Sequence, residues 1–161
     1  MGFEAIQSAI EELEGLLSSL PGEWAEIPDS DAACHRADGG WSRKQLVGHM
    51  IDSGTVNHQR FIRALAGETD FNLLYAQEVW VDLNGYQSRE WNEVIAVWKA
   101  VNTHLLTVCR RIREDQAELI CGRDGDPGPW TLEHRVPDYV AHLRMHVEQM
   151  KRGPWGSSYS V

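Results

Sequence analysis

Apolar residues return at intervals of three and four in four stretches of the chain, the spacing that gives a helix one face to bury. The first stretch carries Ile6, Ile10, Leu13, Leu17 and Leu20 and is expected to stop at Pro21-Gly22. The second opens on Ser42 and Gln45, placed to satisfy each other's backbone donors as a capping box, and runs to about Gly67 with Leu46, Met50, Phe61 and Leu65 on its apolar face. The third is the most regular. Trp91, Val94, Trp98, Val101, Leu105, Val108 and Ile112 follow one another without a gap, with Ser88 as the expected N-cap. The fourth, with Tyr139, Leu143, Val147 and Met150 as its stripe, is expected to start near Pro137, a residue suited to a first helical turn, and to end before Gly153-Pro154.

Nothing alternates with period two, so the chain is expected to be all-α: a four-helix bundle in an up-down arrangement with a long connection between helices 2 and 3. The intervals 21–41, 67–87 and 122–136 are rich in Gly, Pro, Asp and Asn and read as connections. Residues 76–83 (AQEVWVDL) form a short extra helix at most. The connection after helix 2 is too long for a hairpin and is a candidate lid or pocket wall.

Composition narrows the function classes. At 161 residues, with 42% hydrophobic and 24% charged residues, residues 1–161 read as one globular domain. A net charge of −9 with no basic stripe argues against nucleic acid as a partner. Cys34, Cys109 and Cys121 are irregularly spaced with no CxxC pair, which fits neither a disulfide framework nor a cysteine-based zinc site. The acidic opening MGFEAIQSAIEELEGLL lacks the basic region of a signal peptide, and no apolar run approaches the roughly 20 residues of a membrane span. A cytoplasmic location without a membrane partner is the expectation, and the first residues do not match a myristoylation signal.

The chemistry concentrates in histidine. His142 and His146 stand four apart on the fourth helix, about 40° from each other around its axis, and so face one side at the edge of the apolar stripe. His49 occupies a matching rim position on the second helix. Each one alone reads as a boundary histidine bonded to backbone or water. Brought together they make a three-nitrogen site that leaves a divalent ion with an open position, the arrangement of a catalytic centre. Asp52 and Asp138 are placed to orient these imidazoles, and Glu133 and Glu148 are candidates for a general base, although such acids are more often a solvated face. His35, His58, His104 and His134 are read as structural or surface residues. Trp80, Tyr86 and Trp130 fall in connections and are candidate pocket walls. No Ser/His/Asp constellation and no Gly-rich phosphate loop is present.

The run GGWSRKQLVGHMIDSGTVNHQRF, the Trp-rich VWVDLNGYQSREWNEVIAVWKAVNTHLL and the closing DYVAHLRMHVEQM resemble, in this order, the DinB/YfiT-like family of metal-dependent hydrolases over nearly the whole chain. The resemblance implies a four-helix bundle in which one histidine of helix two and both histidines of the final HxxxH bind zinc or nickel, here His49, His142 and His146. Relatives also include transferases that use a low-molecular-weight thiol as cosubstrate. In the mycothiol-dependent isomerase branch a glutamate commonly replaces the first histidine of the last-helix pair, whereas His142 is kept here. The expectation is a metal-dependent hydrolase or thiol transferase in which the ion activates water or a thiol against a small-molecule substrate. The competing reading is a non-catalytic bundle that binds a metal or small ligand, in a stress-related or dimerisation role. A homodimer is implied by the resemblance alone.

Overall fold

The computed structural model describes residues 2–123 and 130–156. Among these residues six α-helices form: α1 (Gly2–Ala25), α2 (Asp29–Ala33), α3 (Arg43–Leu65), α4 (Gln77–Leu83), α5 (Trp91–Cys109) and α6 (Leu132–Arg152). No strand occurs among the described residues, only the isolated bridges Arg36–Trp155 and Ile120–Thr131. The four long helices are the four periodic stretches, and they form a bundle. Each of α1 and α3 packs against both α5 and α6. Going around the bundle the order is therefore α1, α5, α3, α6, with α1 diagonal to α3 and α5 diagonal to α6. That order makes the passages from α1 to α3 and from α5 to α6 diagonal steps, and the passage from α3 to α5 one between neighbours.

The stripes meet in one core. Ile6, Leu13, Leu46, Met50, Phe61, Val94, Trp98, Leu105, Leu132, Tyr139 and Leu143 are all but inaccessible. Trp24 of α1 lies edge-on to Trp98 at 4.8 Å between ring centroids, and its carbonyl accepts the Trp91 indole N–H at 2.7 Å. Gly48 of α3 is held against Tyr86, where an added Cβ would come within 2.1 Å of the ring. Only glycine lets the segment after α4 lie this close to α3.

Several helix ends differ from the sequence expectation. Helix α1 runs through Pro21-Gly22 to Ala25, because Leu20 and Trp24 keep a buried face beyond the proline. The expected capping box at Ser42 is formed, and α3 ends at Leu65. Helix α5 is preceded by Glu90, not Ser88, and the Trp91 amide donates to Asp29 Oδ1 at 2.7 Å. Helix α6 starts at Leu132, with Pro137 inside it. Its first amides are held by a distant segment: Leu132 donates to the Leu119 carbonyl at 3.1 Å and Glu133 to that of Ala117 at 2.9 Å. Residues 29–33, expected as connection, form α2. The extra helix expected at 76–83 is α4. Among the described residues no helix is long and apolar enough to cross a membrane.

Candidate metal centre

Helix α3 carries an unusual load of buried polar groups for a core helix, among them His49, Asp52, Ser53, Asn57 and Arg60. Burying such groups is unfavourable unless each finds a partner. For His49 the partners are two other imidazoles. Its Nε2 lies 3.2 Å from His142 Nε2, which in turn lies 3.0 Å from His146 Nε2. One nitrogen from each residue falls within 4.8 Å of the others. The rings are nearly perpendicular, with interplanar angles of 75°, 82° and 87°, so they meet through their nitrogen edges without stacking.

The burial differs from the sequence expectation at one position. His49, expected at a rim, is 1% exposed. The ring of Trp41, just before α3, lies 5.1 Å from it and closes that side. His142 is half-buried and gives the centre its access, through a cavity of about 280 Å³ that it lines with Ser53, Asn57, Asp138 and Tyr139.

Burial and mutual repulsion keep these imidazoles neutral. His49 is lowered to about 3 by desolvation first and then by His142 and His146; His142 is lowered to about 4 by desolvation and by His146. Desolvation lowers His146 as well, and the hydrogen bond with Gln149 opposes it. His146 Nδ1 lies 2.9 Å from Gln149 Oε1, an arrangement in which Nδ1–H donates to the amide and Nε2 keeps its lone pair for the shared centre. The sequence reading passed over Gln149. Its signal is simple: three residues beyond a candidate ligand on a helix is within reach of that ligand's outer nitrogen.

The donor set fits a small divalent cation. The single His142 Nε2 sits beside two other nitrogens, and one N–H or one lone pair cannot satisfy both. A cation accepts all three lone pairs at once, and two nitrogens bound tetrahedrally at 2.0–2.1 Å stand about 3.3 Å apart, close to the distances seen.

The carboxylates are placed otherwise than expected. Asp52 Oδ1 accepts from Tyr86 Oη at 2.7 Å and from Asn84 Nδ2 at 2.9 Å, while His49 Nδ1 and Asp52 Oδ2 have no hydrogen-bond partner, so the two side chains are not bonded to each other. Desolvation pushes the Asp52 carboxyl up against the pull of Tyr86 and Asn84. Asp138 lines the cavity with His142 but leaves His142 Nδ1 unbonded. Glu133 lies beside Gly2 and Glu148 pairs with Lys151 at 3.4 Å.

Of the other histidines, His58 and His104 bring their rings to 4.6 Å across α3 and α5, His35 meets the Gly40 carbonyl and His134 meets Thr131. Cys34 is half-buried, and Cys109 and Cys121 are buried. Of the candidate wall aromatics, Tyr86 is buried on Asp52, Trp130 lies under Arg135, and Trp80 packs on Tyr75.

Comparison with known proteins agrees with this architecture. The sequence profile of the DinB superfamily matches residues 5–150. A relative from Bacillus subtilis (strain 168), named "Putative metal-dependent hydrolase YfiT", is 24% identical over 138 residues, covering 86% of this chain and 78% of the relative. A solved structure of YfiT from Bacillus subtilis, described as a probable metal-dependent hydrolase with an unusual four-helix bundle topology, superposes with a TM-score of 0.80 at 23% identity over 91% of this chain and 83% of its own. That likeness establishes the fold.

Proposed function

The chain belongs to the DinB superfamily, and from that premise we propose that His49, His142 and His146 hold one divalent metal ion, zinc or nickel, in a metal-dependent enzyme acting on a small molecule. The observation that carries this reading is the convergence of three neutral imidazole nitrogens, 3.0 and 3.2 Å apart, from two helices that nothing else forces to share histidines. A bound ion there supplies Lewis-acid activation of water or of a low-molecular-weight thiol at neutral pH. The protein supplies the rest. Gln149 sets the His146 ring, Trp41 excludes water behind His49, and His142 opens the centre to the cavity.

Asp138 distinguishes the two chemistries. Hydrolysis needs a proton acceptor near the reacting water, and Asp138 is the carboxylate that shares the cavity with His142. Hydrolysis is therefore our first reading, in line with the relative's name, and it assigns Asp138 the role of general base. Transfer of a thiol is the second reading, because a thiol loses its proton more readily and the carboxylate nearest on α3, Asp52, is committed to Tyr86 and Asn84. We place the whole of residues 1–161 in one cytoplasmic domain.

The test is metal content by mass spectrometry on tag-free protein beside His142→Ala, with folding checked by circular dichroism. The expected result is about one zinc or nickel per chain, lost in a variant that stays folded. No metal after incubation with either ion overturns the proposal. Ester and amide substrates, with and without added thiol, then separate the two readings; Asp138→Asn is expected to abolish hydrolysis and to spare thiol transfer.

A further inference from the structure

The exposed apolar surface of this protein is gathered in one place. Of the large hydrophobic side chains left at solvent among the described residues, Leu74, Val79, Trp80 and Leu83 all fall within residues 74–83, and only Ile62 and Met145 lie elsewhere. This stretch belongs to the passage from α3 to α5. Apolar surface left in water is unfavourable, and a cluster of it beside a concavity marks a place where a ligand is covered.

Two of the four side chains wall a hollow. Leu74 and Trp80, with Val56, Leu73 and Tyr75, line a space of about 180 Å³, and none of the described residues around it carries a charge. The Trp80 and Tyr75 rings lie 4.7 Å apart and 47° from parallel, so one side of the hollow is aromatic. A cavity of roughly 150 Å³ holds one benzene ring, and this hollow therefore takes a single ring or an aliphatic group of that bulk. Its concave shape suits a small molecule.

The hollow has a chemically opposite neighbour. Leu74 and Tyr75 also line the cavity of about 280 Å³ at His142, whose other walls include Ser53, Asn57 and Asp138. Tyr75 is thus common to a polar space that opens on the candidate metal centre and to an uncharged, largely apolar one. A molecule reaching from one to the other would bring its hydrophilic, reacting end to His142 and its apolar arm to Trp80.

We infer that the substrate carries an uncharged apolar arm about one aromatic ring in size, held in the hollow against Leu73, Tyr75 and Trp80, and that these residues select which molecules the centre accepts. The inference rests on the proposed metal-dependent reaction for calling the occupant a substrate. The fit of the ring to the hollow is independent of the ion.

The test is calorimetric titration of metal-free and zinc-loaded protein with N-benzylacetamide and with N-methylacetamide, the same amide without the ring. The indole N–H signal of Trp80, identified by its loss in Trp80→Phe, is followed in parallel by NMR. In both forms the benzyl compound is expected to shift that signal and to bind about tenfold more tightly than the methyl compound. Thr55 lines the hollow from an exposed position on α3, so Thr55→Phe should fill it and bring the ratio toward one without changing zinc content. Trp80→Ala should do the same by removing the aromatic wall. In protein loaded with paramagnetic cobalt(II), the acetyl protons of bound N-benzylacetamide should relax faster than its ring protons, as the amide then lies at the centre and the ring in the hollow. Equal affinities for the two amides overturn the inference. So does a preference that survives both variants, or ring protons that relax faster than the acetyl protons. A Trp80 signal that answers to protein concentration and not to ligand assigns residues 74–83 to contact with a second copy of the chain, and overturns it as well. Protein that takes up no metal and still binds the benzyl compound at Trp80 refutes the metal centre and leaves the ring site standing.

Discussion

Two places in this bundle bring histidines of different helices face to face, and they behave as opposites. At the first, His49 of α3 meets His142 and His146 of α6, buried, with ring planes crossed and nitrogens converging. At the second, His58 of α3 meets His104 of α5 at the molecular surface, with rings tilted by 37° at 4.6 Å. Desolvation lowers His58 and the neighbouring His104 adds to it, but among the described residues no third histidine, cysteine or carboxylate joins the pair in a metal-sized group. Histidine proximity is common to both. What separates them is a third nitrogen, crossed ring planes and a shell that fixes one ring, and those are the properties a metal ion selects.

The contrast is sharpest for metal uptake. His142→Ala and His146→Ala should each reduce bound zinc or nickel from about one per chain to under a tenth, whereas His104→Ala should leave it unchanged, read by mass spectrometry after dialysis. Equal losses at the two places would erase the distinction. Stability comes next. At a metal concentration a hundredfold above its Kd the folded state gains about 2.7 kcal/mol, so chelation should lower Tm by roughly 5–10 °C in the wild type and by nothing measurable in His142→Ala. Differential scanning fluorimetry with and without chelator decides it. Gln149→Ala should weaken metal affinity by about tenfold while the site still fills at high metal, because it loosens one ring and removes no ligand. Retention of full affinity would make Gln149 a bystander.

The smallest effect is on acid sensitivity of the metal-free protein. His49 and His142 titrate near 6.5 when unfolded and are lowered to about 3 and about 4 in the fold. Between those values the unfolded chain binds more protons than the folded one, so stability should fall as pH drops from 6.5 toward 4. Urea midpoints at pH 7, 5.5 and 4.5 should therefore decline, less steeply in His49→Leu. His104→Leu should follow the wild type, and a wild-type curve without slope in this window would mean that His49 and His142 take up protons as readily in the fold as in the unfolded chain.

The same contrast shows what the sequence could disclose. The four helices were legible because each stripe is long and periodic, and the Ser42–Gln45 capping box was legible because its bonds lie three residues apart. The placement of His49, His142 and His146 on facing helices could be expected from the stripes and from family resemblance together. Their burial could not, since the Trp41 ring that covers His49 arrives from outside the helix. Nothing in the adjacent residues marks Arg60 and Arg135 as buried either. The starts of α5 and α6 were misjudged for a related reason. Asp29 holds the Trp91 amide from 62 residues away, and carbonyls of residues 117 and 119 hold the first amides of α6, so neither boundary is written in the adjacent residues. Order around the bundle was likewise hidden in the long connections.

Asp29 does more than cap a helix. The same carboxylate accepts from Lys44 Nζ at 2.9 Å, and Lys44 also donates to the Arg89 carbonyl at 2.7 Å. The start of α3, which aims His49, and the start of α5 are thus clasped by one short segment between them. Neither helix can fray at that end without releasing the other, so local opening there is expected to be a joint event, with amide protons of the two first turns exchanging at a common rate.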